Sequence, residues 1–179
     1  MGQYYRPVIV DGIDILIYNR NVNGEYGMAK LMEHSWYDNP TVGKVCGAIY
    51  QHPCRIAWVG DYFEGTPPNI PIPGSVIWEV EGIEIKSPVV SIKDKILVNH
   101  DKREFIDCNY YKKEAIGKDG WCTHPLPILT ACGNGQGGGD YSGTDMDNVG
   151  YWAGDLISLE DGNWKVLSNY EPLDCCFKM

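Results

Sequence analysis

The sequence predicts an α+β fold in which antiparallel hairpins dominate and two or three short helices are interspersed. Three observations lead there. Dipeptides ending in glycine (Asp11-Gly12, Glu81-Gly82, Asp161-Gly162) sit between runs rich in β-branched and aromatic residues, and such pairs supply the positive φ of a tight hairpin turn. The chain carries 21 Gly and 11 Pro, too many for a helical bundle. Its 12 Tyr and 6 Trp suit strands and aromatic-lined surfaces.

The first hairpin is "PVIV-DG-IDILIY", residues 7–18, followed by the loop "NRNVNGEYG". "MAKLMEHSW" (28–36) reads as a helix with Leu31, His34 and Trp36 turned inward. "NPTVGKVCGAIYQ" (39–51) reads as a second helix, with Asn39 as its cap and Pro40 in its first position. Gly43 and Gly47 weaken that helix but let another backbone approach it. "CRIAWVGDY" (54–62) is a strand. "GTPPNIPIPG" (65–74) has four prolines in ten residues and is an exposed crossover, neither helix nor interior strand. A hairpin turning at Glu81-Gly82 follows over 75–86. Another covers 95–111 and turns near His100 to Arg103. "THPLPILTA" is helical from Pro125 onward, "CGNGQGGGDYSGTDMDN" (132–148) is a long loop, and a last hairpin turns at Asp161-Gly162. The tail from Asn169 receives no assignment.

The pattern Trp, small residue, Gly, Asp, bulky apolar occurs twice, as "WVGDY" at 58–62 and "WAGDL" at 152–156. Around it, each half runs hairpin, apolar helix, motif strand. The chain therefore reads as a single domain over 1–179, with 1–64 and 95–168 as duplicated halves about a pseudo-twofold axis. Residues 65–94, the crossover and its hairpin, lie between them.

Net charge is −9, from 24 acidic and 15 basic residues. That disfavours direct nucleic-acid binding, which needs a basic face, and suits a partner with a basic surface. Seven cysteines form no C-x-x-C pair, their number is odd and two are adjacent. With no signal-peptide pattern and no membrane-length apolar run, the expectation is a cytoplasmic protein with reduced thiols.

The loop Gly133-Asn134-Gly135-Gln136-Gly137-Gly138-Gly139-Asp140 contains G-x-G-x-x-G, but it follows a helix where a dinucleotide site requires a strand. A looser nest of amides for an anion is the remaining binding role, against that of a lid without ligand. Asp140, Asp145 and Asp147 lack the spacing of a calcium loop. Asp61 and Asp155, from the repeated motif, either bond their local backbone or meet across the pseudo-twofold as a carboxylate pair. The histidines show no zinc-site spacing. Cys122 or Cys132 with His124 lacks any flanking signature of a nucleophile. No cofactor and no metal are assigned.

The pieces "MGQYY", "LVNHDKREFID", "HPLPILTACGNGQGGGDY", "AWVGDY" and "VGYWAGDLISL" together resemble an uncharacterised family of small stand-alone proteins from bacteria, phages, prophages and some fungi. The resemblance covers most of the chain except residues 65–74 and the hairpin after them. It implies a self-contained cytosolic domain and brings no activity. The functional expectation is a non-catalytic binding module that takes a protein partner or a small phosphate-containing ligand. Its surface would use Gly135, Gly137, Gly138, Gly139, Asp140 and Tyr141, with Trp58, Asp61, Trp152, Asp155 and His124. The phage association suggests by analogy an inhibitor of host defence that blocks a basic channel or sequesters a nucleotide signal. The alternative is a metal-dependent hydrolase of a phosphate-containing substrate, with Asp61, Asp140 and Asp155 as acids and His124 as base.

Overall fold

The computed structural model describes residues 2–18, 29–135, 137–163 and 168–179. The fold is α+β: one mixed sheet of eight strands carries five short helices. Strand β1 (Tyr5–Asp11) folds back on β2 (Asp14–Ile17) and pairs along its other edge with β3 (Cys54–Gly60). A second hairpin joins β4 (Lys95–Asn99) to β5 (Glu104–Asp107), and β4 pairs with β7 (Leu156–Asp161). Two short strands complete the set: β6 (Ala131–Cys132), parallel to β3, and β8 (Glu171–Pro172), parallel to β5. The order across the sheet is β2-β1-β3-β7-β4-β5-β8. From the central β3–β7 pair it therefore runs outward to a hairpin on each side.

Local chemistry explains most of these elements. At the first turn Asp11 pairs with Asp14, so Gly12 and Ile13 make the bend, one residue beyond the expected pair, and Gly12 supplies the positive φ of 60°. Helix α2 (Pro40–Ala48) begins where expected, with the Asn39 side chain accepting from Thr41 N at 2.8 Å and Val42 N at 3.1 Å. Its glycines do admit a second backbone. A Cβ at Gly47 would stand 2.0 Å from the Pro88 carbonyl oxygen, and Val90 N donates to Gly43 O at 2.9 Å. Helix α5 (Pro125–Leu129) starts at the predicted proline, whereas α1 is a single turn, Leu31–His34.

Three expected elements differ. The hairpin over 75–86 is absent: helix α3 (Gly74–Glu79) follows Pro73, and irregular chain follows α3. The buried Arg6 explains this. Its guanidinium donates to the carbonyls of Ile77 (2.9 Å) and Val80 (3.2 Å), which converge at a helix end and would diverge along a strand. The strand expected through Tyr111 stops at β5, because the Asp107 carboxylate accepts from Asn109 N and Tyr110 N and so caps helix α4 (Cys108–Ala115). The proline-rich stretch is not wholly exposed either, since Pro67 and Ile70 are buried. The return strand of the last predicted hairpin falls on 164–167, outside the described residues.

Both faces of β3 are covered. Ile56 and Trp58 enter the main core with Val42, Leu129, Trp152 and Phe177. Ala57 and Val59 enter a smaller core with Val8, Ile70, Ile77 and Ala153. The unassigned tail closes the main core: Phe177 is fully buried, and its carbonyl accepts from Thr123 Oγ1 at 2.7 Å.

The two copies of the repeated pattern occupy different places. Trp58 to Gly60 end β3, whereas Trp152 to Asp155 form the turn that precedes β7. In that turn Gly154 has φ 76°, and a Cβ there would lie 1.6 Å from the Pro68 carbonyl oxygen. Gly12 has a similar φ but open space around it. Gly12→Ala is therefore expected to cost about 1 kcal/mol, the left-handed backbone penalty alone. Gly154→Ala is expected to cost about 3 kcal/mol or more, because backbone must also move. Urea unfolding of the two variants checks the difference.

Candidate functional site

The glycine-rich loop is spent largely on a buried glutamine. Gln3 is completely buried; Cβ atoms at Gly60 or Gly137 would collide with its side chain, and one at Gly133 with the Tyr5 hydroxyl beside it. In the orientation that satisfies its surroundings, the Gln3 amide nitrogen, with two hydrogens to donate, has Tyr5 Oη, Asn134 Oδ1 and Asp140 Oδ2 each at 3.1 Å. Asp140 also accepts from Gly137 N at 3.1 Å, and Met32 N donates to Gly139 O at 3.0 Å. Gly138 forms a bridge to Gly2. Burial and then the charge of Asp140 push the Tyr5 phenol above its ordinary range. Of the predicted loop residues, Gly135 points into open space. Tyr141 is buried edge-on against Phe177, 5.3 Å between centroids, and donates to the carbonyls of Thr144 and Lys178.

The predicted tryptophans and aspartates also face inward or pair locally. Trp58 and Trp152 have no exposed surface; Trp58 stacks on His34 at 5.7 Å, and Trp152 Nε1 donates to Glu104 Oε2 at 2.9 Å. Asp61 accepts from Tyr4 N at 3.0 Å. Asp155 is buried and accepts from Asn99 Nδ2 at 2.8 Å and from the Lys102 ammonium. Beside it, Asp101 pairs with Arg55 at 2.7 Å. Against the burial that would raise it, the Arg55 hydrogen bond and the Leu156 amide hold the Asp101 carboxyl below its ordinary value. Asp61 and Asp155 thus have separate partners and do not form a carboxylate pair.

His124 caps α5 from inside the core. Its Nδ1 accepts from Leu126 N at 3.2 Å, so in the neutral ring the proton sits on Nε2, 3.6 Å from Cys46 Sγ. With both nitrogens engaged and the ring buried, His124 has no lone pair to offer a substrate. Cys122 and Cys132 are buried thiols, with burial pushing Cys122 up to about 11 and Cys132 up to about 12. Among the described residues, Asp61, Asp140, Asp155 and His124 form no group able to hold a metal, whereas Asp11, His52 and Cys54 do.

Among the described residues, two open features lie around α4 and the tail. A groove of about 470 Å³ is lined by Phe105, Tyr110, Pro172, Leu173, Asp107 and Asp174. Tyr110 projects into solvent, 65% exposed. Past the other end of α4 a second hollow of about 480 Å³ is lined by Ile116, Trp121, Lys178 and Met179. Sequence reasoning missed this surface because it read 108–111 as strand. The signal was the cap Asp107 followed by "CNYYKKEA", a run in which Tyr111 and Ala115 are one helical turn apart.

Comparison with family models, with curated proteins and with solved structures yields no match. The geometry is therefore the ground for a functional reading. None of the described helices is long and apolar enough to cross a membrane.

The two interior histidines generate an acid sensitivity. Burial lowers His34 to about 4; burial, then the neighbouring His34, lowers His124 to about 3, from an ordinary value near 6.5. Below pH 6.5 the unfolded chain takes up protons that the folded chain refuses. Stability is thus full above that pH and falls as pH drops toward 4 and then 3. At pH 5, unfolding is expected to take up about one proton fewer in His34→Phe than in the parent chain. Urea midpoints measured between pH 7 and 4.5 give that number.

Proposed function

We propose that the protein is a non-catalytic binding module whose partner is a protein segment presenting an apolar side chain flanked by basic ones. The observation that carries this reading is the groove between α4 and β8. Tyr110, Phe105 and Leu173 give it aromatic and aliphatic walls, and Asp107 and Asp174 stand on its rim. Rigid aromatic area beside acids that make no ion pair among the described residues suits a ligand that is greasy at its centre and cationic at its edges. A net charge of −9 would draw such a partner in from a distance.

The wider chemistry points the same way. The acids and the histidine that a hydrolase would need form no metal-binding group among the described residues, and each has a local structural task. The loop amides that would cradle a phosphate are partly engaged, Gly137 N by Asp140. Seven unpaired cysteines, six of them buried, fit a reducing compartment such as the cytoplasm. In its most specific form the module occupies a basic surface of another protein, as a phage-associated inhibitor of host defence would.

Peptide arrays test the reading. Peptides carrying Leu or Phe between Lys or Arg residues are expected to bind, and the same peptides with Glu in place of the bases are not. Tyr110→Ala and Asp174→Lys are each expected to weaken binding about tenfold or more, and added salt to weaken it further. Selection of acidic peptides, or binding untouched by Tyr110→Ala, would overturn it.

A further inference from the structure

At the opposite side of the sheet, the β1–β3 register places a mixed set of ligands at one corner. Val10 pairs with Arg55, so Asp11 and Cys54 stand directly across the ladder from each other. His52 precedes Cys54 by two residues, across Pro53, and its Nε2 lies 2.9 Å from Asp11 Oδ1. One ligand atom from each of Asp11, His52 and Cys54 falls within 4.8 Å of the other two. We propose that these three residues form a binding site for a borderline-soft divalent cation of the zinc type.

The donor set decides the class of ion. One carboxylate oxygen, one imidazole nitrogen and one thiolate sulfur suit Zn²⁺ and its analogues Co²⁺ and Cd²⁺; the hard ions Mg²⁺ and Ca²⁺ take oxygen alone. Accessibility fits as well. The Cys54 side chain lies at the bottom, buried, while the Asp11 and His52 side chains are 45% and 56% exposed. An ion can enter from solvent and keep water on the side without protein, the three-ligand arrangement of open sites. The His52–Asp11 contact holds two of the three donors together beforehand. Sulfur ligates as the thiolate, so binding releases the Cys54 proton. The site rests on its own residues and not on the groove beside α4.

The test uses the full chain, stripped with chelator and titrated with Zn²⁺ by calorimetry and with Co²⁺ by absorption. One equivalent is expected to bind, with a sulfur-to-cobalt charge-transfer band that shows thiolate ligation. His52→Ala removes an exposed side chain, leaves the fold intact by circular dichroism, and is expected to weaken Zn²⁺ about tenfold or more. Cys54→Ser is expected to abolish the cobalt band, while Cys176→Ser, at the one partly exposed thiol outside the site, retains it. A band that survives Cys54→Ser would overturn the proposal. So would affinity unchanged in His52→Ala, or no binding of either ion at millimolar concentration.

Discussion

The architecture depends on an exchange of partners along β3. On one edge β3 pairs with β1 along all but its first residue, from Arg55 to Gly60. On the other edge β7 pairs only with Cys54 and Arg55, and β6 takes over at Trp58 and Val59. The hand-over is made by single hydrogen bonds: Ile56 N to Asp155 O, Gly154 N to Ile56 O, and Trp58 N to Thr130 O. A buried strand cannot leave an amide unpaired between partners, so the β7 chain must peel away within one residue. Gly154 makes that possible, with its positive φ and the Pro68 carbonyl lying where a side chain would be. The tryptophan before it is thereby driven into the core, and the proline-rich crossover is held against the sheet.

This also explains what the repeated pattern means. Trp, Gly and Asp recur because both sites bring a bulky indole into the core beside a backbone that must bend. The residues then do different work. Gly60 leaves room for Gln3, while Gly154 turns the chain. Asp61 fastens the backbone of Tyr4, while Asp155 neutralises Lys102. Similar local requirements select similar residues without placing them in equivalent positions.

Elements with complete local signals were legible in the sequence. The Asp11-Gly12 turn, the Asn39-Pro40 start of α2, the Pro125 start of α5 and the bend near His100 each carry their own geometry. Elements set by a distant partner were not. Helix α3 exists because Arg6, some seventy residues earlier, gathers two carbonyls at its end, and no window around 75–86 contains that information. Helix α4 lay between these cases: its Asp107 cap was present but was outweighed by the strand pattern preceding it. The glycine loop was visible as a loop, but not what it surrounds. The buried glutamine that fills its glycine notches sits at position 3, in a stretch to which the sequence pattern assigns no element.

The same division governs the candidate sites. Residues that looked chemical in sequence (Trp58, Trp152, His124, Asp155) are conspicuous because the fold demands them, and burial consumes their chemistry: His124 is kept neutral, and Asp155 is matched by Lys102. Among the described residues, the Asp11–Cys54 corner brings ligand atoms together and α4 leaves aromatic surface exposed. Two strands, β7 and β4, separate β3 from β5, so at about 4.8 Å per strand the two regions stand some 15 Å apart across the sheet. Energetic coupling over that span requires an element with two arrangements. The strands between are packed on both neighbours, with Leu97, Val98, Ile157 and Leu159 all buried. A cation at the corner would therefore act on stability, by mass action on the folded state, and leave the groove beside α4 as it was.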